Sequence, residues 1–144
     1  MSLNGTYDDN NLFAKIQRGE VPAVKVYEDD AVLAFMDIFP QARGHVLVIP
    51  KGVKARNLLD LPESKVGQLM WQVQRITKAV VKALKPDGVT VTQFNGEDAG
   101  QTIFHLHFHI IPRYAGVRLA GHGHSNRADI PELEKIAKDI AAAL

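Results

Sequence analysis

Histidines and large apolar residues alternate strictly at positions 104–110 of this 144-residue chain. Alternation with a period of two is typical of a β-strand, in which successive side chains point to opposite faces. One face of the predicted strand therefore carries only histidines, and the other carries apolar side chains that need a core. A slip of one residue would bury the imidazoles instead, so the segment dictates the register of any sheet that it joins. The histidines are His105, His107 and His109, and the apolar residues are Phe104, Leu106, Phe108 and Ile110.

The remaining pattern predicts one α+β domain with an antiparallel sheet of about five strands, a long central helix and short helices near both ends. Residues 62–84 have apolar residues at helical spacing and form the longest predicted element, which Pro86 ends. The apolar stripe of this helix includes Val66, Leu69, Met70, Val73, Ile76 and Val80. The predicted strands are 24–28, 31–37, 45–49, 89–95 and 102–112, and the short helices are 10–18, capped by Asp9 or Asn10, and one from Pro131.

Composition excludes several classes of function. The chain has no cysteine, which rules out disulfides, thiol catalysis and cysteine-ligated metal sites. Its 17 Lys+Arg and 16 Asp+Glu give a net charge of +1, which offers no electrostatic basis for binding nucleic acid or a membrane surface. No apolar run approaches the ~20 residues of a membrane span, and no secretory signal pattern is present. We therefore expect one cytoplasmic domain over residues 1–144, and we exclude the first few residues from the fold prediction.

Three imidazoles on one strand face can do chemistry that a single histidine cannot. Each titrates near neutrality when unperturbed, and like charges at this spacing oppose full protonation of the set. We expect a mixed state at pH 7, in which a neutral ring can attack phosphorus beside an imidazolium that stabilises the phosphate charge. The alternatives are a purely structural role and a zinc site, for which His45 could be a third ligand. No carboxylate lies within a few residues of the histidines, which disfavours a metal.

The segment His105-Leu-His107-Phe-His109-Ile-Ile resembles the His-φ-His-φ-His-φ-φ signature of the histidine triad (HIT) family of nucleotide hydrolases and transferases. Other blocks resemble the family in the same order, so that the likeness spans about residues 10–114. The N-terminal block is similar to the nucleoside-phosphoramidase, or Hint-type, branch, and residues 100–113 also resemble the diadenosine-polyphosphate hydrolases. Residues 115–144 match the family poorly and form a variable tail with a helix. The additional blocks are residues 12–22, 27–30, 34–38, 40–42, 44–51 and 100–102.

The resemblance implies an enzyme that acts at the α-phosphate of purine nucleotide conjugates, of AMP or GMP, through a nucleotidyl-histidine intermediate and without a cofactor or catalytic metal. It implies that His107 is the nucleophile, that His109 contacts the phosphate, and that His105 and His45 orient the ring and relay protons. It also implies a nucleotide-binding set. This set is Asp37 at the ribose hydroxyls, Leu12, Phe13, Ile16, Ile38 and Leu47 around the base, and Asn95, Gln101 and Thr102 near the phosphate or leaving group.

Two alternatives remain within this resemblance. A diadenosine polyphosphate hydrolase would use the same residues in the same roles, and a nucleotide-binding regulatory module would keep the pocket with little turnover. The intact triad favours turnover, because a binding module has no need of a nucleophile. The resemblance also implies a homodimer whose sheets join across the two-fold axis, with no nucleic-acid or membrane partner.

The sequence departs from the family at one metal site. Many members carry Cys-x-x-Cys at the start of the first helix and complete a structural zinc site with histidines further on. Those cysteine positions are Asn11 and Ala14 here, and Val53 stands where a histidine often follows Pro-Lys. We therefore expect this chain to lack that zinc. We expect His122 and His124, in the glycine-rich segment after the last strand, to be solvated loop residues.

Overall fold

Five strands form one antiparallel sheet in the order β1-β2-β3-β5-β4. The computed structural model describes residues 2–122 and 125–144. The sheet and its three helices confirm the predicted α+β class, including the long helix in the middle of the chain. The strands are β1 (Lys25–Glu28), β2 (Val32–Met36), β3 (Val46–Pro50), β4 (Gly88–Thr92) and β5 (Phe108–Arg113), and the helices are α1 (Leu12–Gln17), α2 (Glu63–Leu84) and α3 (Ile130–Ala142).

Each face of the sheet packs into its own apolar cluster. Successive side chains of a strand point to opposite faces, so neighbouring residues contribute to different clusters. Even-numbered residues of the central strands pack with the buried faces of α2 and α3, whereas odd-numbered residues pack with α1. Both faces are covered, which is why β2 and β3 are buried along their whole length. The α2 and α3 side holds Val32, Ala34, Met36, Val46, Val48, Phe108 and Ile110, and the α1 side holds Leu33, Phe35, Leu47 and Ile49 with Phe13 and Ile16.

Cross-strand register gathers polar side chains on the α1 side of the sheet. Leu47 of β3 pairs with Phe35 of β2 and with His109 of β5. Just before β3, the His45 carbonyl accepts the backbone N–H of Asp37 at 3.0 Å. Because residues two apart share a face, Asp37, His45 and His109 all point toward the side that α1 covers.

The last strand is shorter than the alternation predicts. Strand β5 begins at Phe108, and residues 101–107 form an irregular segment instead of the predicted strand from residue 102. The register would place Leu106 opposite Pro50, which has no N–H to donate, and the Leu106 N–H donates to the Ala55 carbonyl instead. Phe104 is only partly buried and lies with its ring centroid 4.7 Å from the Arg56 guanidinium. It therefore does not join the core, contrary to the prediction.

Helix boundaries differ from the prediction for local reasons. Asn11, rather than Asp9 or Asn10, caps α1, and its Oδ1 accepts the Ala14 N–H at 2.9 Å. The buried stripe of α2 is narrower than predicted, because Val66 and Met70 lie beside the core face and are 38% and 41% exposed.

No helix in the described part of the chain combines the length and the apolarity that crossing a membrane requires.

Candidate active site

A cavity of about 200 Å³ lies on the α1 side of the sheet, between α1 and the ends of β2, β3 and β5. Its wall is mostly apolar, and polar groups converge at one end of it, the usual character of a small-molecule site. Sequence separation between the contributing residues reaches 110 positions, so only the fold brings them together. The predicted site residues that line it are Leu12, Phe13, Ile16, Asp37, Ile38, Leu47, Thr102, His107 and His109.

Two predicted phosphate-side residues lie outside this wall. The Asn95 side-chain carbonyl accepts the Leu58 N–H at 2.9 Å. Gln101 is buried, and its amide accepts the Gly96 N–H at 2.9 Å and donates to the Arg56 carbonyl at 2.7 Å. Both amides therefore hold the loops beneath the site together, and Thr102 is the member of that predicted group that reaches the cavity.

Hydrogen bonding defines the tautomer of His107. Its Nδ1 lies 2.7 Å from the His105 carbonyl, which can only accept, so Nδ1 carries the proton. The neutral ring then has its lone pair on Nε2, which has no hydrogen-bond partner among residues 2–122 and 125–144. Phe13 packs edge-on against the ring at 4.8 Å between centroids and an interplanar angle of 89°. His107 is thus a held imidazole with a free nitrogen lone pair, as a nucleophile requires.

A second chain of hydrogen bonds defines the tautomers of His45 and His109. The Gln41 backbone N–H donates to His45 Nδ1 at 3.0 Å, so the His45 proton lies on Nε2. That proton is donated to His109 Nδ1 at 2.9 Å, which leaves the His109 proton on Nε2. His109 Nε2 is buried and has no partner in the described part of the chain. A buried N–H without an acceptor, on a residue that lines a cavity, is a site for an anionic oxygen.

Tyr7 is a site residue that the sequence reasoning missed. Its hydroxyl donates to His105 Nδ1 at 2.6 Å, and His105 Nε2 lies 3.3 Å from the Pro50 carbonyl. His105 is therefore held from both sides, and its own carbonyl orients His107. Burial raises the pKa of Tyr7. His105 does not line the cavity and supports the ring that does.

Tyr7 was missed because we excluded the first residues from the fold prediction. In the structure this segment is tied to the loops beneath the site. The Asn57 side chain donates to the Leu3 carbonyl at 2.9 Å, and the Glu97 N–H donates to Ser2 Oγ at 3.0 Å. An aromatic residue with a polar end a few positions before a capped helix was the only sequence signal.

Burial keeps the four imidazoles of the site neutral. Desolvation lowers the pKa of His105 and of His107 to about 4. Desolvation also lowers the pKa of His45 and of His109 well below the ordinary value, with further lowering from neighbouring histidines. At pH 7 none of these rings carries a charge, so the predicted mixed state with an imidazolium is not what the free protein holds. Anion recognition falls to the neutral His109 N–H.

Tertiary structure brings the carboxylate of Asp37 to the histidines, although no carboxylate lies near them in the sequence. Asp37 Oδ2 lies 3.6 Å from His45 Nε2, and Oδ1 accepts the Phe39 N–H at 2.8 Å. Burial raises the pKa of Asp37, against opposing contributions from the Phe39 N–H and from His122. Asp37 also lines the cavity, so one of its oxygens is available to a hydroxyl donor there.

Asp37, His45 and His109 each offer one ligand atom, and these atoms lie within 4.8 Å of one another. The hydrogen bonds argue for a relay in place of a metal centre. Gln41 occupies the lone pair of His45 Nδ1, so His45 Nε2 carries a proton, and that proton occupies the lone pair of His109 Nδ1. A metal would have to displace the bond between the two rings, since neither facing nitrogen has a lone pair to give.

The residues at the family's structural zinc positions do not fit that metal. Asn11 caps α1 through its side-chain oxygen, Ala14 is buried in the first turn, and Val53 has no ligand atom. Neither a thiolate nor an imidazole stands at these three positions, and those are the groups that zinc prefers. The Asn11 cap organises the start of α1 in this chain.

His122 is placed differently from the prediction of a solvated loop residue. It is half-buried and lines the cavity, and its ring centroid lies 5.3 Å from that of His109 and 5.1 Å from that of Phe94. His124, which the prediction grouped with it, lies outside the described residues.

A family profile, related sequences and a solved structure all match this chain to HIT proteins. The profile of the HIT domain family matches residues 18–116. The chain is 37% identical over 145 residues to the adenosine 5'-monophosphoramidase HNT1 of Saccharomyces cerevisiae, a match that covers 100% of this chain and 89% of that protein. It is 43% identical over 110 residues to the adenylylsulfatase HINT3 of Arabidopsis thaliana, which covers 76% of this chain and 55% of that protein. A crystal structure of a Hit-like protein from Bartonella henselae, described as involved in cell-cycle regulation, superposes with a TM-score of 0.90 at 52% identity and covers 97% of this chain and 100% of that one.

Proposed function

The chain is a member of the HIT domain family, and from that premise we propose that it is a hydrolase of purine nucleoside phosphoramidates and related conjugates. The observation that carries this proposal is the pairing of His107 with His109, whose ring centroids lie 4.9 Å apart. One ring offers a free lone pair and the other an unpartnered N–H, so a nucleophile and an anion donor face the same cavity. The names of the yeast and plant relatives, a monophosphoramidase and an adenylylsulfatase, support a reaction at a nucleotide phosphate.

The reaction proceeds by two displacements at the α-phosphorus. His107 Nε2 donates its lone pair to phosphorus and forms a P–N bond, while the bond to the leaving amine breaks and its electron pair stays with the amine nitrogen. Water then attacks the same phosphorus, the bond to His107 breaks, and the pair returns to Nε2 as the nucleoside monophosphate leaves. His109 Nε2–H donates to a non-bridging oxygen in both steps, and His45 holds that ring in the donating tautomer.

A comparison of three substrates tests this proposal. We expect an adenosine phosphoramidate and an adenylyl-lysine conjugate to be cleaved with a higher kcat/KM than a diadenosine polyphosphate. The polyphosphate would instead be preferred if the chain belonged to the diadenosine hydrolases, which would overturn the substrate class and leave the mechanism standing. Tight AMP binding without turnover of any substrate would favour the regulatory-module alternative.

Removal of metal ions is expected to leave the rate unchanged. The nucleophile and the anion donor are side-chain nitrogens, so dialysis against EDTA should preserve full activity, measured as AMP release by chromatography. Added Zn²⁺ should inhibit, because it competes for the lone pair of His107 Nε2. EDTA should reverse that inhibition. A dialysed enzyme that is inactive until Zn²⁺ returns would show that His107 is a metal ligand.

Asp37 is expected to bind the ribose. The carboxylate lines the cavity, so Asp37→Ala should weaken AMP binding by about 1.5–3 kcal/mol, the usual value of a charge-assisted hydrogen bond. Isothermal titration with AMP and with its 2′,3′-dideoxy analogue measures this effect. The dideoxy ligand should bind the wild type and the variant alike. A variant that still distinguishes the two ligands would assign Asp37 a structural role through Phe39 and His45.

We also propose that the protein is a cytoplasmic homodimer, as the family resemblance implies. Strand β4 is an edge strand of the sheet, and Val91 on it is 42% exposed. Helix α2 exposes Val66, Met70 and Trp71 beside its core face, with Trp71 57% exposed. An edge strand and exposed large apolar side chains are typical of a surface that a partner covers.

Substitution of the exposed tryptophan tests this dimer. Trp71→Glu is expected to raise the dimer dissociation constant by about 30-fold or more, the loss that defines an interface hot spot. Sedimentation velocity over a range of concentrations measures it. Val117→Glu is the matched control, because Val117 has the same 57% exposure outside α2 and β4 and should leave the dimer intact. A monomeric wild type would contradict the proposal.

A further inference from the structure

The proposed reaction needs a proton that the four buried imidazoles do not supply. The amine that leaves from phosphorus takes the bonding pair with it and must gain a proton to become a good leaving group. His107 uses its only proton to hold the His105 carbonyl, and the His45 proton lies in the bond to His109. The remaining proton, on His109 Nε2, is used by the non-bridging phosphate oxygen in both steps. We propose that His122 is the general acid that protonates the leaving group, an inference that rests on the proposed function.

The chain holds His122 at the cavity from both sides. Gln41 and Ala120 exchange two hydrogen bonds of 2.9 Å each, one from the Gln41 side chain to the Ala120 carbonyl and one from the Ala120 N–H to the Gln41 carbonyl. Further along, the Ala128 N–H donates to the Ile38 carbonyl at 2.8 Å. Gln41 also holds His45, and Ile38 lines the cavity. The connection between β5 and α3 is therefore built onto the loop that forms the site.

The rings of His107 and His122 both lie against His109. The centroids of His107 and His109 are 4.9 Å apart, and those of His109 and His122 are 5.3 Å apart, so His109 contacts both of the other rings. In a displacement at phosphorus the attacking and leaving atoms are roughly in line. For a phosphate held by His109 and attacked from His107, we place the leaving group beside His122, the other ring in contact with His109.

Phe94 packs against His122 at 5.1 Å and against His109 at 5.4 Å between ring centroids, so the three rings contact one another. His122 Nε2 is buried and has no hydrogen-bond partner within the described ranges, so this nitrogen is available to a bound molecule. The titratable groups within electrostatic reach of the ring are Asp37, His45, His107 and His109.

The proton balance closes over the two steps. In the first step protonated His122 gives its proton to the amine nitrogen as the P–N bond to the leaving group breaks. In the second step water attacks phosphorus and His122, now neutral, accepts the proton that water loses. The ring therefore returns to its starting state with each turnover, as a general acid and base must.

Leaving-group dependence tests this role directly. The two probes are an adenosine phosphoramidate, whose amine needs a proton, and the p-nitrophenyl ester of AMP, whose phenolate leaves without one. His122→Ala should lower kcat/KM, which reports the first displacement alone, by about 100-fold or more for the phosphoramidate and by no more than about threefold for the ester. AMP affinity, measured by titration calorimetry, should stay near the wild-type value.

Two control variants make the result specific. Val117→Ala, on the same connection but exposed, should cleave both probes at the wild-type rate. His107→Ala should lose both probes. An equal fall in kcat/KM for both probes in His122→Ala would overturn the general-acid role, and so would an unchanged kcat/KM for the phosphoramidate. Either result leaves the proposed function standing. A wild type that cleaves neither probe would overturn the proposed function itself.

Discussion

His107→Ala is expected to reduce kcat/KM for an adenosine phosphoramidate by about 10⁴-fold or more, the scale of loss when a catalytic nucleophile is removed. AMP should still bind with similar affinity, because the ribose and base contacts belong to Asp37 and to the apolar wall around Phe13 and Leu47. Steady-state kinetics and titration calorimetry on the same preparation measure the two quantities. The expected pattern is thus a loss of turnover with binding retained.

The covalent step can be observed separately. Rapid quenching of the wild type without acid, followed by intact-mass measurement, should show one AMP moiety attached to the chain, and His107→Ala should show none. Lys138→Ala, on the exposed face of α3, is the control for handling and should match the wild type in both measurements. A His107→Ala variant that keeps more than a few per cent of the activity would exclude the nucleotidyl-histidine route.

Acid is expected to unfold the protein over a narrow range below pH 6. The buried rings have a depressed pKa, about 4 for His105 and His107, whereas unfolded histidines titrate near 6.5. Between these values the unfolded state binds more protons than the folded state, so the free energy of unfolding falls as the pH falls. With His45 and His109 the slope approaches four protons, or about 5 kcal/mol per pH unit near pH 5.

Guanidinium unfolding from pH 7.5 to 5, in buffers without phosphate, measures this slope. Phosphate is left out because an anion at His109 Nε2 would stabilise the folded state at every pH. His105→Gln is the matched variant and should reduce the slope by about one proton, whatever its stability at neutral pH. A wild-type slope below one proton would show that the rings are charged in the folded state and would contradict their assignment as neutral.

Periodicity determined the architecture of this protein from sequence alone. Apolar residues with a period of 3.6 in α2, such as Leu69, Val73 and Ile76, need one buried face and find it on the sheet. Residues with a period of two assign Val46 and Val48 to one face of the sheet and Leu47 and Ile49 to the other. These patterns involve residues close together in the sequence, so they can be recognised without knowing which other elements cover the apolar face.

The strand boundaries and the tail could not be predicted in the same way. The alternation starts at residue 104, whereas β5 begins only at Phe108. The strand does not extend further back because Pro50, which would pair with Leu106, has no N–H to donate. His122 stands in a polar, glycine-rich segment whose composition indicates only a loop. Its position depends on the hydrogen bonds between Ala120 and Gln41, which lies about 80 residues earlier in the chain.

The sequence by itself therefore determined the fold class and the identity of His105, His107 and His109 as the chemically informative group. Tertiary structure alone decided what each ring does, because a tautomer depends on which nitrogen meets an obligatory donor or acceptor. Those partners are the backbone carbonyl of His105, the N–H of Gln41 and the hydroxyl of Tyr7. The N–H of Gln41 and the hydroxyl of Tyr7 reach their rings only through loop and chain-end geometry. Burial then lowers the histidine pKa values, because it removes the water that would solvate the charged form of each ring.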